Sequence, residues 1–224
     1  MAEKLDLIFS SSFKDKIWKV QLDEVGKQLA LEVRSDRSLE VDFLHLDMDT
    51  VMLTPIETPS SDWWSSLVHV GNDKVYIKQF ESEGNPQVKE WVIWDISSKK
   101  LLDSTQAHKF DKDAKPKSGG IVFYSMASEY FKLLKAFIYS LTGNSNIVAG
   151  VEYLEHRGFV FLSYYTGSDN MANYLLVVDM NKNVVIHKRL DKDLKGIGRD
   201  TFIVSSNKLI FLQDKQELFI YQLH

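Results

Sequence analysis

An all-β fold built from a recurring four-strand unit is predicted by three observations. Short runs rich in aromatic and β-branched residues alternate with turn-forming clusters along most of the chain. Four of these runs can be laid over one another as equivalent second strands: QLALEVRS from Gln28, KVYIKQFE from Lys74, GFVFLSYY from Gly158 and KLIFLQDK from Lys208. The third strands that follow end in VDFLHLD, EWVIWD, NYLLVVD and ELFIYQ, so that Asp47, Asp95, Asp179 and Gln222 share one position at the strand exit. The spacing is 48 residues from Asp47 to Asp95 and 43 from Asp179 to Gln222. A four-strand unit returning every ~40–50 residues is the signature of a propeller blade. The predicted fold is therefore a small β-propeller of four-stranded antiparallel meander blades, four of them with room for a fifth, in a single domain over residues 1–224.

The elements follow in order. Lys4 to Phe13 reads as a short strand ending in a Ser-rich turn. Ile17 to Leu22 alternates, which places Ile17, Lys19 and Gln21 on one face and Trp18, Val20 and Leu22 on the other. After a turn at Asp23 to Gly26, Leu29, Leu31 and Val33 mark the apolar side of the second strand, with further strands at Leu39 to Asp47 and Val51 to Leu53. The Pro55 to Pro59 break opens a second unit with strands at Ser65 to Val70, Lys74 to Glu81, Lys89 to Ile96 and Lys100 to Thr105, its first turn at Gly71-Asn72-Asp73. A third unit runs through Gly150 to Leu154, Gly158 to Thr166, Ala172 to Asp179 and Val184 to Arg189. The last has Thr201 to Ser205, Lys208 to Gln213 and Glu217 to Gln222, one strand short. An N-terminal strand at residues 4–10 pairing with this blade (201–222) would close the fold and remove two exposed edges.

Asp95 and Asp179 are 84 residues apart, about two units. Ile121 to Tyr124 is strand-like, but Ser128 to Leu141 has helical period: at 100° per residue its Tyr130, Phe131, Leu133, Leu134, Phe137, Ile138 and Leu141 fall within an arc of about 160°. Ser128 suits an N-cap, and Gly143 with Asn144 a C-terminal stop. We read an inserted amphipathic helix near 128–141; the rival is a strand over Ala136 to Leu141 in a degenerate fifth blade. Lys109 to Gly120 reads as a long polar loop.

Composition narrows the function. Hydrophobic residues at 44% and charged residues at 26% are ordinary globular usage. A net charge of −4 argues against a general nucleic-acid partner, which needs a basic face. With no cysteine there is no thiolate nucleophile, disulfide or Cys-ligated zinc. No apolar run approaches the ~20 residues that span a bilayer, so no membrane partner and a cytoplasmic location are expected.

Several local patterns invite a chemical reading. Asp191-Lys192-Asp193-Leu194-Lys195-Gly196 begins like a calcium loop, but Lys195 takes a ligand place and Phe202 the place of the bidentate Glu; an interblade turn fits better. Asp111 and Asp113 fail likewise, with Pro116 where Gly is needed. His45, Asp47 and Asp49 could share a strand face as ligands, but Asp at a strand exit usually accepts backbone N–H bonds. No metal or cofactor is expected. A glycosidase needs two carboxylates from inner strands about 5–9 Å apart. The inner strands offer only Glu152, with Asp62 and Asp200 just outside. Trp63 and Trp64 follow a Pro/Ser-rich linker and could stack on a ligand or anchor a blade junction. Trp63, Trp64 and Glu152 are thus the candidate ligand surface; no residue is assigned as catalytic.

The stretches Val92 to Lys100 (VIWDISSKK) and Val177 to Val184 (VVDMNKNV) resemble the blade endings of WD-repeat and quinoprotein-like propellers, in which an apolar strand runs into Asp, a short turn and Lys. Lys99 and Asn183 replace the turn Gly of those families, and their docking Trp is absent, so the resemblance implies blade geometry. Trp63-Trp64, Tyr153-Leu154-Glu155 and Ser163-Tyr164-Tyr165 are similar to an uncharacterised bacterial propeller-like family of unknown function. The expected function is a non-enzymatic binding or scaffold module for a protein or small ligand, with a carbohydrate-active hydrolase as the alternative. Trp91 and Trp94 should face opposite sides of their strand, with at least one buried.

Overall fold

The computed structural model describes residues 4–82, 85–102 and 120–224. The described residues form four antiparallel sheets and one helix, an all-β architecture of propeller-type blades. The loop expected at 109–120 lies outside them except for Gly120, as do His108, Asp111, Asp113 and Pro116. The chain divides into two compact units, Phe13–Lys117 and Met1–Ser12 with Ser118–His224. No described helix is long and apolar enough to cross a membrane.

In the unit Phe13–Lys117, β2 (Lys16–Leu22), β3 (Gln28–Ser35), β4 (Glu40–Asp47) and β5 (Met52–Ile56) form one meander. The second consists of β6 (Ser65–Gly71), β7 (Lys74–Ser82), β8 (Asn85–Asp95) and β9 (Lys100–Leu102). Ala30, Val41, Phe43 and Ile56 of the first meet Leu67, Val70, Val75, Ile77, Val92, Trp94 and Ile96 of the second in one core, with Trp63 packed against it. Trp94 is 3% exposed in this core, while Trp91 packs with Tyr76 and Ile93 on the opposite face. The i, i+3 spacing of the two tryptophans on a strand requires that separation.

In the other unit, β10 (Val122–Ser125), β11 (Ile147–His156), β12 (Phe159–Thr166), β13 (Met171–Asp179) and β14 (Val184–Leu194) make a five-stranded sheet. The last sheet contains β15 (Phe202–Ser205), β16 (Lys208–Gln213) and β17 (Glu217–Leu223), and its fourth strand is β1 (Leu5–Ser12), antiparallel to β17 from Leu5↔Leu223 to Ser12↔Glu217. Phe159, Phe161, Leu175 and Val177 of the five-stranded sheet pack on Phe202, Val204, Leu209 and Phe211 of the last. Residues 120–146 add β10 and a helix to the third sheet rather than a further meander.

Helix α1 (Glu129–Thr142) is capped by Ser128, whose side chain accepts the Tyr130 N–H at 3.3 Å, and by left-handed Gly143 (φ 71°), whose N–H donates to Tyr139 O at 2.8 Å. Most of its apolar arc is used. Phe131 and Ile138 are buried, and Leu134, Phe137 and Leu141 partly buried, against Ile147, Val151, Leu162, Tyr164, Leu176 and Val178. Tyr130, in the first turn, and Leu133, at one edge of the arc, remain 61% and 66% exposed. Each fully buried side chain contributes about 1.5–3 kcal/mol. The helix thereby covers the second face of β12 and β13, which is why both strands are apolar nearly throughout.

The alternation read into β2 is corrected by a bulge. Ile17 pairs with Val33 and Lys19 with Glu32, so Trp18 has no cross-strand partner. The extra residue lets odd-numbered Ile17 share the buried face of Val20 and Leu22, opposite Val33, Leu31 and Leu29. Trp18 leaves that face and is 63% exposed. The same one-residue shift recurs in β6 between Leu67 and His69, and β11 carries a larger one, with two residues between Val148 and Val151. A second correction concerns Asp191 to Leu194, which belong to strand β14 instead of a turn.

The blade turns use left-handed backbone at non-glycine residues: Asn72 and Asp73, Ser206 and Asn207, and after the third strands Val51, Lys99 and Lys182. Val51, β-branched at φ 52°, is the most costly of these. Val51→Asn is expected to raise unfolding free energy by about 0.5–1 kcal/mol, read as a higher urea midpoint at unchanged slope.

Candidate functional site

The polar residues that matter most are buried carboxylates joining one sheet to the next. In the unit Phe13–Lys117, Glu32 on β3 is fully buried. Its Oε1 accepts from Arg34 Nε at 2.6 Å, and its Oε2 accepts from the Leu67 N–H at 2.7 Å and Ser66 Oγ at 3.3 Å. Around it, Lys19 Nζ donates to Leu67 O at 2.6 Å, and Arg34 donates to Trp63 O at 2.9 Å and Ser65 O at 2.8 Å. β6 is an edge strand, so its outward backbone groups need partners from elsewhere; three side chains of the preceding sheet supply them.

Glu152 on β11 does the equivalent work in the other unit. It is 2% exposed. Its Oε1 accepts the Asp200 N–H at 2.5 Å, and its Oε2 accepts the Thr201 N–H at 3.1 Å and Thr201 Oγ1 at 2.6 Å. Thr201 Oγ1 also sits 2.6 Å from Ser163 Oγ, which takes Asn173 Nδ2 at 2.9 Å. Tyr165 binds the same loop, with Gly198 N–H donating to its hydroxyl at 2.9 Å and the hydroxyl 3.0 Å from Gly198 O; burial raises its pKa. The carboxylate of Glu152 thus faces backbone donors in the interior.

Trp63 and Trp64 lie in the other compact unit from Glu152 and are both partly buried. The Trp64 N–H donates to Asp62 Oδ1 at 2.9 Å, and its carbonyl accepts from the Phe80 N–H at 2.9 Å. Trp63 packs on the core and faces the Arg34 guanidinium, 4.8 Å from its ring centre. On Arg34 there is a second indole: Trp18, 5.5 Å away. Both separations lie within cation–π reach. The result is a Trp18–Arg34–Trp63 arrangement whose cation is fixed by Glu32 and two carbonyls and whose outer indole is largely solvent-exposed. Trp18, Arg34 and Glu32 were not among the candidates. The signal available was Glu32 and Arg34 two apart on one strand face, but clean alternation assigns that face to solvent.

The repeated Asp is a turn residue. Asp47 Oδ1 accepts from the Asp49 and Thr50 N–H groups at 3.0 and 2.8 Å; Asp95 Oδ1 from the Ser98 N–H at 2.8 Å; Asp179 Oδ1 from Asn181 and Asn183 at 2.9 and 2.8 Å. Asp47, Asp95, Asp179 and Gln222 pair with Gln28, Lys74, Phe159 and Lys208, the first residues of their neighbouring strands. Hydrogen bonds from Ser98 lower the pKa of Asp95, and those from Asn183 lower that of Asp179. At Asp47 burial pushes upward but is outweighed by the bonds from Thr50 and Asp49. His45 turns to Gln28, with Nε2 2.6 Å from Oε1, and burial lowers its pKa. Lys195 Nζ donates to Asn170 Oδ1 at 2.6 Å. Among the described residues no three His, Asp or Glu side chains converge to hold a metal ion.

No family model and no curated protein matches this sequence. Similar solved structures include a member of the DUF4221 family from Bacteroides vulgatus (7% identity, 100% of this chain and 98% of that one, TM-score 0.31). The WD40 domain of SCAP from fission yeast matches at 13% identity over 98% of this chain and 44% of that one, TM-score 0.31. The β-propeller domain of the Trilobed protease from Pyrococcus furiosus matches at 14% identity over 88% and 64%, TM-score 0.31. At such scores the likeness extends to no ligand and no activity.

Glu152→Gln places an amide donor against backbone donors and is expected to destabilise by about 2–4 kcal/mol in urea unfolding. The turn carboxylates predict an acid limit. Their folded pKa values lie below the ordinary 3.8, so their contribution is complete above that value and is lost as pH falls through the lowered ones. Asp95→Asn keeps the acceptor oxygen but cannot titrate. Its urea midpoint should fall less steeply below about pH 4 than that of the parent.

Proposed function

We propose that this chain is a non-enzymatic binding module of propeller type whose contact surface for a protein partner is centred on Trp18. The carrying observation is the combination of 63% exposure at Trp18 with a rigid support beneath it. A β-bulge turns this side chain out of the sheet, and Arg34, itself anchored by Glu32, lies under the ring. Trp and Arg dominate the energetics of protein interfaces, because a rigid indole buries a large area at low entropic cost. An indole held at one orientation before binding lowers that cost further.

The competing reading, a carbohydrate-active hydrolase, requires a carboxyl able to reach a substrate. Glu152 is 2% exposed and both its oxygens accept protein donors, so this reading has no observation in its favour. The cytoplasmic location belongs to the proposal, as does the single-domain organisation over residues 1–224.

The test compares capture from native lysate by the parent and by Trp18→Ala, both checked for equal thermal stability. A protein retained by the parent and reduced at least about tenfold by the variant, in line with the energy of an interface hot spot, is the expected result. Equal retention of every captured protein by the two forms would refute the proposed surface.

A further inference from the structure

A cavity of about 510 Å3 opens between the outer strands of the two meanders in the unit Phe13–Lys117. One wall is Thr54 and Pro55 of β5, with Glu57 just beyond; the other is Trp94 of β8, Lys99 in the following turn, and Lys100 and Leu101 of β9. β5 and β9 are the edge strands of their sheets. The volume falls within the ~300–1,000 Å3 usual for small-molecule sites.

The lining has a definite chemistry. Trp94, Pro55 and Leu101 give apolar surface, and Trp94 is held from behind by His45, ring centres 5.3 Å apart. Two lysines, Lys99 and Lys100, line it beside one acidic residue, Glu57. Among the described residues no acidic side chain forms an ion pair with either lysine. The turn that carries Lys99 is fixed, since Asp95 Oδ1 accepts from both the Ser98 N–H and the Ser98 hydroxyl. An excess of positive charge on a partly apolar concavity is complementary to an anion with an apolar body.

We propose that this cavity binds a small organic anion, its carboxylate or phosphate group held by Lys99 and Lys100 and its apolar body lying against Trp94, Pro55 and Leu101. The site is separate from the Trp18 surface and does not rest on that reading. His45 reports on it. Burial is the largest influence lowering its pKa, Lys99 lowers it further, and Asp47, Asp73 and Asp23 act in the opposite direction. An anion seated on Lys99 offsets that lysine's charge, so the pKa of His45 rises on binding.

The experiment titrates the full chain with phenyl phosphate, benzoate, inorganic phosphate and phenol. Calorimetry measures affinity, and the His45 ring resonances are followed against pH by NMR. Saturable binding of phenyl phosphate or benzoate is expected, tighter than phosphate or phenol, with an upward shift of the His45 titration; the tighter of the two identifies the oxyanion. In Lys99→Gly/Lys100→Gln, affinity should fall at least about tenfold, the loss of one charge-assisted contact. Glycine suits the left-handed backbone at position 99 (φ 55°), so the variant should keep its fold. The proposal is overturned if neither organic anion binds saturably, if inorganic phosphate binds as tightly as phenyl phosphate, or if binding leaves His45 unmoved. Unchanged affinity in the folded double variant would overturn it as well. The His45 readout on the parent chain decides the matter even where the variant does not fold.

Discussion

Glu32 and Glu152 are carboxylates buried away from water, and each reaches the next sheet, Glu32 at its first strand β6 and Glu152 at the residues leading into β15. A four-stranded meander has two edges, and the first-strand edge carries N–H and C=O groups that no fifth strand satisfies. In one unit the edge of β6 is held by Glu32, Lys19 and Arg34; in the other the approach to β15 is held by Glu152. Apolar packing between sheets is nondirectional and tolerates sliding. A buried carboxylate that must meet fixed donors of the facing segment at about 3 Å does not. The packing of each pair of sheets therefore supplies the bulk of the attraction, while these carboxylates set its register.

The same residues support an exposed tryptophan on a sheet whose strands are otherwise committed to packing. Arg34 is held on one side by Glu32 and two carbonyls, and indoles lie over its faces. A structural ion pair thereby becomes the floor beneath Trp18. A one-residue bulge occurs in the first strand of both meanders of this unit, and in the first it delivers a tryptophan to solvent.

Helix α1 shows a comparable economy. The third sheet has the apolar content to be buried on both faces, and the helix covers the face that the last sheet does not. Its Tyr130 and Leu133 project beyond the area it covers. Helical period predicts which residues share an arc, but the width of the partner sheet decides how much of that arc is buried.

The sequence by itself determined the strand series, the repeat spacing, the helix with its Ser128 and Gly143 caps, and the turn role of Asp47, Asp95 and Asp179. All of these are local: strand period, capping and Asp turn chemistry act within a few residues, and the repeat registers them across the chain. Only the tertiary structure decided the rest. Alternation assigned the Glu32–Arg34 face of β3 to solvent, yet it is buried because β6 packs there. A one-residue bulge, invisible to period-two patterning, moved Trp18 from the core face to the surface. Glu152 stood out as the one inner-strand carboxylate, but backbone donors 48 and 49 residues away turned it into a fastening. The physical reason is common to all three: burial and hydrogen-bond partners come from segments far apart in sequence, and a strand's own pattern records only which residues share a face.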